Sequence, residues 1–387
     1  MAKVLLVDTN LSSSPIYKFL VSEGYSVAVI GGNPNDYLAR SAPWYIEGDY
    51  SDNKFLESVV DEHLFDYIVP GCNDRSYHAC AELNCHKNFP GVDSLKVTEI
   101  INNKRKFRAF AEVNGLPVPK VYEPDACPLN RPLIVKPVDA FSGRGVTILK
   151  MPTESNIYDA INYANQASVT SSCVIEDYVS GQLFSHSCFI SSQKILFDFV
   201  VEEHGTANPF VVDTSRVIWN FPSEVLQRIR SSIQLMAGVL GLVDGLVHTQ
   251  FMFDGGSFWL IEVTRRCPGD LYSQLIEMAT GFPYAEYYAR KFVDLDYPRI
   301  DQNARCKFVM RHTMSLPHEA NLEHLRFNVP ILFDRIYPMA KIGEEIKRSP
   351  DSRIGLIFVS AENGEDFDGL FQRTLKRELY SVEDLGG

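Results

Sequence analysis

The sequence predicts an α/β protein with a parallel-sheet domain at its amino end and mixed helix-and-sheet lobes after it. Three patterns lead to this prediction. Short apolar runs alternate with helical segments through about residue 100, which is typical of a parallel sheet covered by helices. Apolar residues recur at helical spacing over residues 225–240, which indicates one buried helix face. Two apolar runs around a glycine turn at residues 246–264 indicate a long hairpin.

The first part, residues 1–100, is predicted to be a Rossmann-like domain. Its apolar runs over residues 3–7, 26–30 and 65–70 are predicted strands, and residues 14–22 a helix. The turn after the first strand lacks the pattern G-x-G-x-x-G, which argues against a dinucleotide site.

Three further parts are expected. Residues 101–185 and residues 186–304 would form a smaller and a larger subdomain. Residues 305–387 would form a β-rich extension. The predicted elements of that extension are strands over 307–311, 331–336 and 353–359 and a helix over 365–378.

A basic run lies on a helix predicted over residues 98–114, which Gly115 and Pro117 would end. For three cations of this run a solvated helix face is the simpler interpretation; they are Arg105, Lys106 and Arg108. Lys104 is singled out only by its spacing to Gly115.

A glycine-containing turn follows the next predicted strand. The run Pro132–Pro137 contains Lys136, and the segment Phe141-Ser-Gly-Arg-Gly145 leads into a second apolar run. Glycines let backbone N–H groups approach a phosphate closely, and a lysine supplies a point charge. The pattern indicates a flexible hairpin that covers phosphates, and it is not a Walker A loop.

The hairpin at residues 246–264 brings polar side chains to one place. Strand alternation puts His248, Gln250 and Met252 on one face of its first strand. The same rule groups three residues of its second strand, namely Leu260, Glu262 and Thr264. A carboxylate can hold a divalent cation, and the arginines that follow can clamp a phosphoryl oxygen. A surface salt bridge at a strand end is the alternative, and His248 also fits a buried core histidine.

Taken in order, these elements resemble those of ATP-grasp enzymes over most of residues 1–280. The shared features are Lys104, the Gly115–Pro119 segment, Lys136, the glycine turn, the Glu176–Val179 segment, Gln250, and Glu262 with Arg266. The resemblance implies the ATP-grasp fold, with ATP and Mg²⁺ (or Mn²⁺) as cofactors. It also implies that residues 101–185 are the small lid subdomain and that residues 186–304 are the large subdomain with the metal site.

Residue roles follow from the resemblance. Lys104 and Lys136 would contact the ATP phosphates, under a turn made by Ser142, Gly143 and Gly145. The backbone of one segment would bind adenine, through Glu176, Asp177, Tyr178 and Val179. Metal would be held by Gln250, Glu262 and Thr264. Arg266, with Lys136, would stabilise the transferring phosphoryl group and so be catalytic.

The sequence departs from the family pattern at three positions. Thr264 stands where asparagine is usual, so metal would be held there through water. Gln250 stands where glutamate is common, as in the carbamoyl-phosphate synthetases of the family. Leu183 stands where a ribose-binding glutamate often occurs.

Substrate contacts are predicted at four residues. Arg216, at the end of a polar loop that begins near Glu202, is a candidate carboxylate clamp. Arg265, Asp270 and Tyr272 are candidates because they lie beside Arg266. For Asp270 and Tyr272, helix capping or surface solvation is the alternative.

The resemblance implies an ATP-dependent carboxylate–amine ligase that forms an amide through an acyl phosphate and releases ADP and phosphate. Its partners would be a small carboxylate and a small amine. A kinase or carboxylase on the same scaffold, or a nucleotide-binding module without catalysis, is the alternative.

Composition limits the other classes of partner. The formal net charge of −12 argues against nucleic acid. The sequence has no apolar run long enough for a membrane span or a signal peptide. Its 8 cysteines show no C-x-x-C pairing, so free thiols in a reducing compartment are expected. The predicted location is cytoplasmic, and a homodimer is a candidate assembly.

Overall fold

The computed structural model of the chain describes residues 1–140, 143–299 and 307–383. Its strands are β1 (Lys3–Val7), β2 (Ser26–Gly31), β3 (Tyr45–Glu47), β4 (Tyr67–Pro70), β5 (Val121–Tyr122), β6 (Leu133–Pro137), β7 (Thr147–Leu149), β8 (Cys173–Asp177), β9 (Gln182–Ser191), β10 (Lys194–His204), β11 (Thr214–Ile218), β12 (Gly245–Phe253), β13 (Phe258–Thr264), β14 (Phe308–Met314), β15 (Ala320–Asn321), β16 (His324–Phe327), β17 (Phe333–Pro338), β18 (Glu345–Ile346), β19 (Gly355–Ala361) and β20 (Tyr380–Glu383). Its helices are α1 (Ser14–Ser22), α2 (Tyr37–Ser41), α3 (Asn53–His63), α4 (Asp74–Leu83), α5 (Leu95–Asn102), α6 (Lys104–Val113), α7 (Glu154–Ala167), α8 (Ser223–Leu240), α9 (Tyr272–Thr280), α10 (Tyr284–Arg290) and α11 (Gly364–Leu375).

The amino-terminal part contains a parallel four-stranded sheet in the order β3-β2-β1-β4. Strands β1 and β2 read as continuous apolar runs because helices bury them, and Val4, Leu5 and Leu6 have no exposed surface. The order 3-2-1-4 is that of a doubly wound sheet. The predicted α/β class is confirmed, and β1 and α1 have the predicted bounds.

A second sheet has the order β5-β8-β6-β7. Strands β6 and β7 pair antiparallel, with Leu133 opposite Leu149. They flank the glycine turn, so the predicted hairpin is present. Helix α7 packs on this sheet through Ile157 and Ala164, which are buried in the same cluster as Leu133.

The largest sheet has eight antiparallel strands in the order β13-β12-β9-β10-β11-β14-β19-β17. One face packs against α9, α10 and the amino-terminal part in a single buried cluster. The opposite face packs against α8 at one end and α11 at the other. The predicted carboxy-terminal strands therefore continue this sheet through β14, β19 and β17.

The region predicted as one helix over residues 98–114 forms two helices, α5 and α6. The break is Asn103, whose backbone is extended (φ −91°, ψ 116°). Its side chain accepts hydrogen bonds from the backbone N–H groups of Arg105 and Lys106, each at 3.1 Å, as an N-cap residue does. The prediction of a single helix was wrong because a good capping residue inside a helical pattern can start a new helix. Lys104 therefore lies in the first turn of α6.

The described part of the chain has no helix long and apolar enough to cross a membrane. Seven cysteines lie within it, and all seven are free thiols. No group of three or more histidine, cysteine, aspartate or glutamate side chains in residues 1–140, 143–299 and 307–383 is placed to hold a metal ion.

Candidate active site

The hairpin of β12 and β13 brings the two principal predicted metal residues together. Gln250 and Glu262 are direct partners in the antiparallel register, and His248 is the partner of Thr264. Directly opposed side chains in such a pair lie about 5 Å apart at Cβ. The predicted meeting of Gln250 and Glu262 across the hairpin is therefore observed.

The prediction that Leu260 shares a face with Glu262 was wrong. The register shifts between Gln250 and Phe251, so that Phe251 is opposite Leu260 and Ile261 is the extra residue. A β-bulge of this kind reverses the alternation on one strand. Leu260 consequently lies in the core with Phe251, whereas Glu262 keeps 46% of its side chain exposed.

A cavity of about 180 Å³ opens beside this hairpin. Six of the predicted site residues line it; they are Gln250, Glu262, Thr264, Arg266, Asp270 and Tyr272. His248 lines it too. Sequence reasoning missed two charged residues of its wall, Glu203 and Arg311.

Lys104 reaches the same place from α6. Its Nζ lies 3.4 Å from Oε1 of Glu262. The same atom donates to the carbonyl oxygen of Ala140 at 3.2 Å, just before the glycine turn. Lys104 thus connects the predicted phosphate-binding turn to the predicted metal residue.

Lys136 belongs to a second, buried group of charges. Its Nζ lies 2.8 Å from Oε2 of Glu176, and Nε of Arg108 lies 2.8 Å from Oε1 of the same carboxylate. Glu176 has no exposed side-chain surface. Burial by itself raises the pKa of Glu176, but the two cations outweigh it and hold that pKa below its usual value.

The interpretation of Arg108 as part of a solvated helix face was wrong. Its side chain is 2% exposed and also donates to the carbonyl oxygen of Ile261 at 2.8 Å. The pairing could not be read from the sequence, because Arg108, Glu176 and Ile261 are far apart along the chain. The other two cations of the run stay near the surface, where Lys106 pairs with Glu99 at 2.6 Å.

The segment predicted to bind adenine begins at the end of β8. The Asp177 carboxylate accepts from the hydroxyl of Tyr122 at 3.0 Å. The backbone N–H of Tyr178 donates to the carbonyl oxygen of Pro132 at 3.0 Å. The Glu176 side chain is engaged with Lys136. An adenine base would therefore contact the backbone of this segment, as predicted.

The glycine turn needs glycine at both described positions. Gly143 and Gly145 have φ of +69° and +72°, in the region that side chains with a Cβ rarely adopt. A Cβ at Gly143 would also lie 2.3 Å from Cβ of Phe210, and one at Gly145 would lie 2.5 Å from Cβ of Ala167. The predicted contact residue Ser142 lies outside the described residues.

Arg266 is held by an acid of the amino-terminal part. Its Nε and one terminal nitrogen each lie 3.0 Å from an oxygen of Asp74. Thr264 Oγ1 donates to the same carboxylate at 2.8 Å. Burial raises the pKa of Asp74, but the charge and hydrogen bonds of Arg266, with the Thr264 hydroxyl and the charge of Lys104, together lower that pKa below its usual value. Asp74 is the first residue of α4. This contact could not be predicted from the sequence, because Asp74 and Thr264 are far apart along the chain.

Two predicted substrate residues point elsewhere. Arg265 is 2% exposed, pairs with Asp93 at 2.6 Å and donates to the carbonyl oxygens of Leu246 and Val243. Arg216 lies on β11, pairs with Glu202 at 2.7 Å and with Asp368 at 2.6 Å, and covers the ring of Phe371. Both are outside the residues that line the described cavity.

The predicted polar loop from Glu202 to Arg216 is shorter than expected. Glu202 and Arg216 are direct partners on β10 and β11, so the loop itself spans residues 205–213. Their ion pair forms part of the sheet's contact with α11, because Asp368 lies on that helix.

Asp270 and Tyr272 remain at the cavity, in roles other than capping or solvation. Helix α9 has no side-chain cap. The Asp270 carboxylate lies 3.5 Å from Arg311 and also pairs with Arg353. Asp270 and Leu271 both have positive φ, 53° and 55°, a costly conformation for residues with side chains that these ion pairs help to hold.

Tyr272 is 2% exposed and belongs to a buried hydroxyl network. Its hydroxyl lies 3.0 Å from Oγ of Ser185, and Oγ of Ser187 lies 2.6 Å from Nδ1 of His248. Burial lowers the pKa of His248 to about 3, so the imidazole is neutral at pH 7. The interpretation of His248 as a buried, hydrogen-bonded histidine is confirmed.

Comparisons with known proteins match part of this chain to one domain family. The ATP-grasp domain family matches residues 129–274. The chain is 31% identical over 144 residues to 5-formaminoimidazole-4-carboxamide-1-(beta)-D-ribofuranosyl 5'-monophosphate synthetase of Pyrococcus horikoshii. That match covers 36% of this chain and spans only 40% of the relative's length.

Several solved structures resemble nearly the whole chain. The L-amino acid ligase from Bacillus licheniformis has a TM-score of 0.79 at 17% identity, over 99% of both chains. The biotin carboxylase domain of the Hydrogenobacter thermophilus 2-oxoglutarate carboxylase, solved with MgADP and bicarbonate, has a TM-score of 0.76 at 16% identity, over 98% of this chain and 90% of that one. Residues 129–274 therefore match the ATP-grasp domain family, and the chain has the ATP-grasp fold, as the sequence predicted.

Proposed function

We propose that this chain is an ATP-dependent carboxylate–amine ligase that uses Mg²⁺ or Mn²⁺. The observation that supports it best is the convergence of Gln250, Glu262 and Arg266 on one cavity, with Lys104 3.4 Å from Glu262. A triphosphate with its cation needs this combination of oxygen ligands and positive side chains. The named ligase and carboxylase relatives agree with this class of reaction.

The residues fit a divalent cation. Glu262 is half exposed and can approach an ion, and the amide nitrogen of Gln250 is engaged with Glu203, which leaves its oxygen as the ligand atom. The Thr264 hydroxyl donates to Asp74 and would meet the ion through water. When bound with ATP, the cation neutralises the phosphate oxygens and favours phosphoryl transfer.

The chain's own cations would hold the nucleotide. Lys104, whose Nζ donates to the carbonyl oxygen of Ala140, and Lys136 on β6 would contact the phosphates. The backbone of residues 176–179 would contact adenine. Arg266 would break one of its two hydrogen bonds with Asp74 and bind the transferring phosphoryl group instead. Closing the turn excludes water, which strengthens each of these interactions.

The acceptor chemistry requires no protein nucleophile. A substrate carboxylate oxygen attacks the γ-phosphorus of ATP, and the bond to the β-phosphate oxygen breaks, which gives an acyl phosphate and ADP. The amine then attacks the acyl carbon, loses a proton and expels phosphate. Arg311 and Asp270 line the cavity beside Arg266 and are the charged groups best placed to orient a carboxylate and an amine.

An ADP-release assay against pooled amino acids and small carboxylates, with mass spectrometry of the products, tests the proposal. We expect ADP release that depends on both an acid and an amine, and one amide formed per ADP. Turnover that needs no amine would instead indicate a kinase or carboxylase. ATP binding without turnover on any pool would indicate a binding module.

A further inference from the structure

The predicted cation site carries little negative charge. Of its three residues, Gln250 and Thr264 are neutral, so Glu262 alone is an anion. Lys104 lies 3.4 Å from that carboxylate and offsets part of its charge. At nucleotide sites, Mg²⁺ is usually held by one or two carboxylates together with the substrate phosphates. A second carboxylate nearby would bring this site to the upper end of that range.

Glu203 is such a carboxylate. It lies on β10, lines the same cavity as Glu262 and is 4% exposed. Its Oε2 accepts a hydrogen bond from Nε2 of Gln250 at 2.7 Å. Two carboxylates and one amide therefore meet around one point of the cavity wall.

Glu202 and Glu203 are neighbours on β10, and Glu203 is the one that faces the cavity. Alternation along β10 places Glu203 on one face and Glu202 on the other, where Glu202 pairs with His204 at 2.8 Å and with Arg216 at 2.7 Å. Glu202 thus pairs with a histidine and an arginine. Glu203 has an amide donor in their place.

The protein gives Glu203 little compensation for its charge. Glu203 is 4% exposed, and the side chain that donates a hydrogen bond to its Oε2 is the neutral amide of Gln250. Arg311 donates hydrogen bonds to the carbonyl oxygen of Asp270 at 3.2 Å and to Oγ of Ser215 at 2.9 Å. A buried carboxylate in this setting is stabilised by a bound cation.

We propose that Glu203 supplies the second negative charge of the divalent-cation site, beside Glu262 and the amide oxygen of Gln250. This inference rests on the proposed function, because the cation is the one that accompanies the nucleotide. It assigns to a residue of β10 the charge that a neutral Gln250 does not provide.

Mn²⁺ binding, followed by electron paramagnetic resonance in the presence of ADP, tests this without any turnover. We expect Glu203→Gln to weaken Mn²⁺ binding by at least about 10-fold, the range seen when groups around a metal are changed. Glu203→Asp, which keeps the charge, should lose less. The matched control is Glu202→Gln on the opposite face of β10, which should bind Mn²⁺ as the wild type does.

A charge exchange gives the sharpest result. The double variant Glu203→Gln with Gln250→Glu keeps an amide beside a carboxylate and moves the charge by one residue, so it should recover most of the lost affinity. Because the double variant keeps the local pairing, it decides the matter even if Glu203→Gln alone is unstable. Recovery supports the inference, and failure to recover overturns it.

The two proposals fail in different ways. A wild-type protein that binds neither Mn²⁺ nor ADP would contradict the proposed function itself. A wild type that binds both, with a Glu203→Gln variant that binds Mn²⁺ equally well, would contradict only the role of Glu203.

Discussion

At the scale of single residues, Glu262 can be changed with little effect on folding. Glu262 is half exposed, and its ion-pair partner Lys104 lies on a different element. Exposed ion pairs of this kind contribute about 0–1 kcal/mol to stability. A substitution of Glu262 should therefore affect chemistry far more than folding.

The variant Glu262→Gln should keep the thermal midpoint of the wild type within a few degrees. Its kcat/KM for ATP should fall by about 100-fold or more, as when one transition-state ligand is removed. Steady-state ADP release and a thermal melt measure the two effects. Asp254→Asn, in the hairpin turn outside the residues that line the cavity, is the control, and equal activity in both variants would remove Glu262 from the metal role.

His312 makes stability depend on pH. It is buried beside Asp213, Arg311 and Arg377, and burial lowers its pKa to about 4 from an ordinary value of 6.5. Between these two pH values the unfolded chain binds a proton that the folded chain does not, so stability falls as pH falls.

Thermal midpoints measured from pH 7 to pH 5 test this dependence. His312→Asn, which cannot titrate, should show a smaller decrease over that window than the wild type. The substitution also alters the 2.8 Å contact with Thr214 and therefore the stability at pH 7. The slope against pH is the quantity to compare. Identical slopes in the two proteins would contradict the neutral state of folded His312.

At the scale of elements, the glycine turn between β6 and β7 is shaped by backbone conformation and by close contact. Gly143→Ala would place a Cβ 2.3 Å from Cβ of Phe210 at a φ of +69°. We expect the KM for ATP to rise by about 10-fold, because a misplaced phosphate-contacting backbone loses near 1.4 kcal/mol of binding.

Gly343→Ala is the matched control for this effect. Gly343 also has a positive φ, +88°, but no heavy atom lies within 4 Å of a Cβ placed there. That variant should carry a similar backbone cost without a change in KM. If both variants shift KM equally, the contact with Phe210 has no part in nucleotide binding.

The elements also show what local sequence can and cannot predict. The β12–β13 hairpin and the β6–β7 turn were predictable because their strand alternation and glycine positions are local. The bulge at Ile261 was not, since apolar residues occupy neighbouring positions from Trp259 to Ile261 and hide a shift in alternation. The break at Asn103 was visible only as a capping residue within a helical pattern.

The site residues that sequence analysis missed share one property. Each has its role because it contacts residues that are far away along the chain. Glu203, Asp74 and Arg108 each meet the site through partners on other elements. Charge and residue type alone fit a solvated surface equally well. The predicted residues were found because ATP-grasp enzymes carry them in a fixed order along the chain.

At the scale of the whole molecule, one buried ion pair joins the amino-terminal part to the large sheet. Asp93 and Arg265 are 1% and 2% exposed and lie 2.6 Å apart, and Arg265 also binds carbonyl oxygens near the start of β12. Removing one partner of such a pair leaves the other charge buried without compensation.

Arg265→Gln and Asp93→Asn should each reduce the free energy of unfolding by about 3–5 kcal/mol, the usual cost of breaking a buried pair. Denaturant unfolding measures it, and the double variant should lose less than the sum of the singles. Additive losses would show that the two residues act independently.

The most direct measurement of the central claim is a crystal structure of the protein with a nonhydrolysable ATP analogue and Mg²⁺. The account predicts the triphosphate between the glycine turn and the β12–β13 hairpin, with Lys104 and Lys136 on its phosphates and the cation on Glu262. A nucleotide bound elsewhere, or a cation that contacts none of Gln250, Glu262 and Glu203, would contradict it.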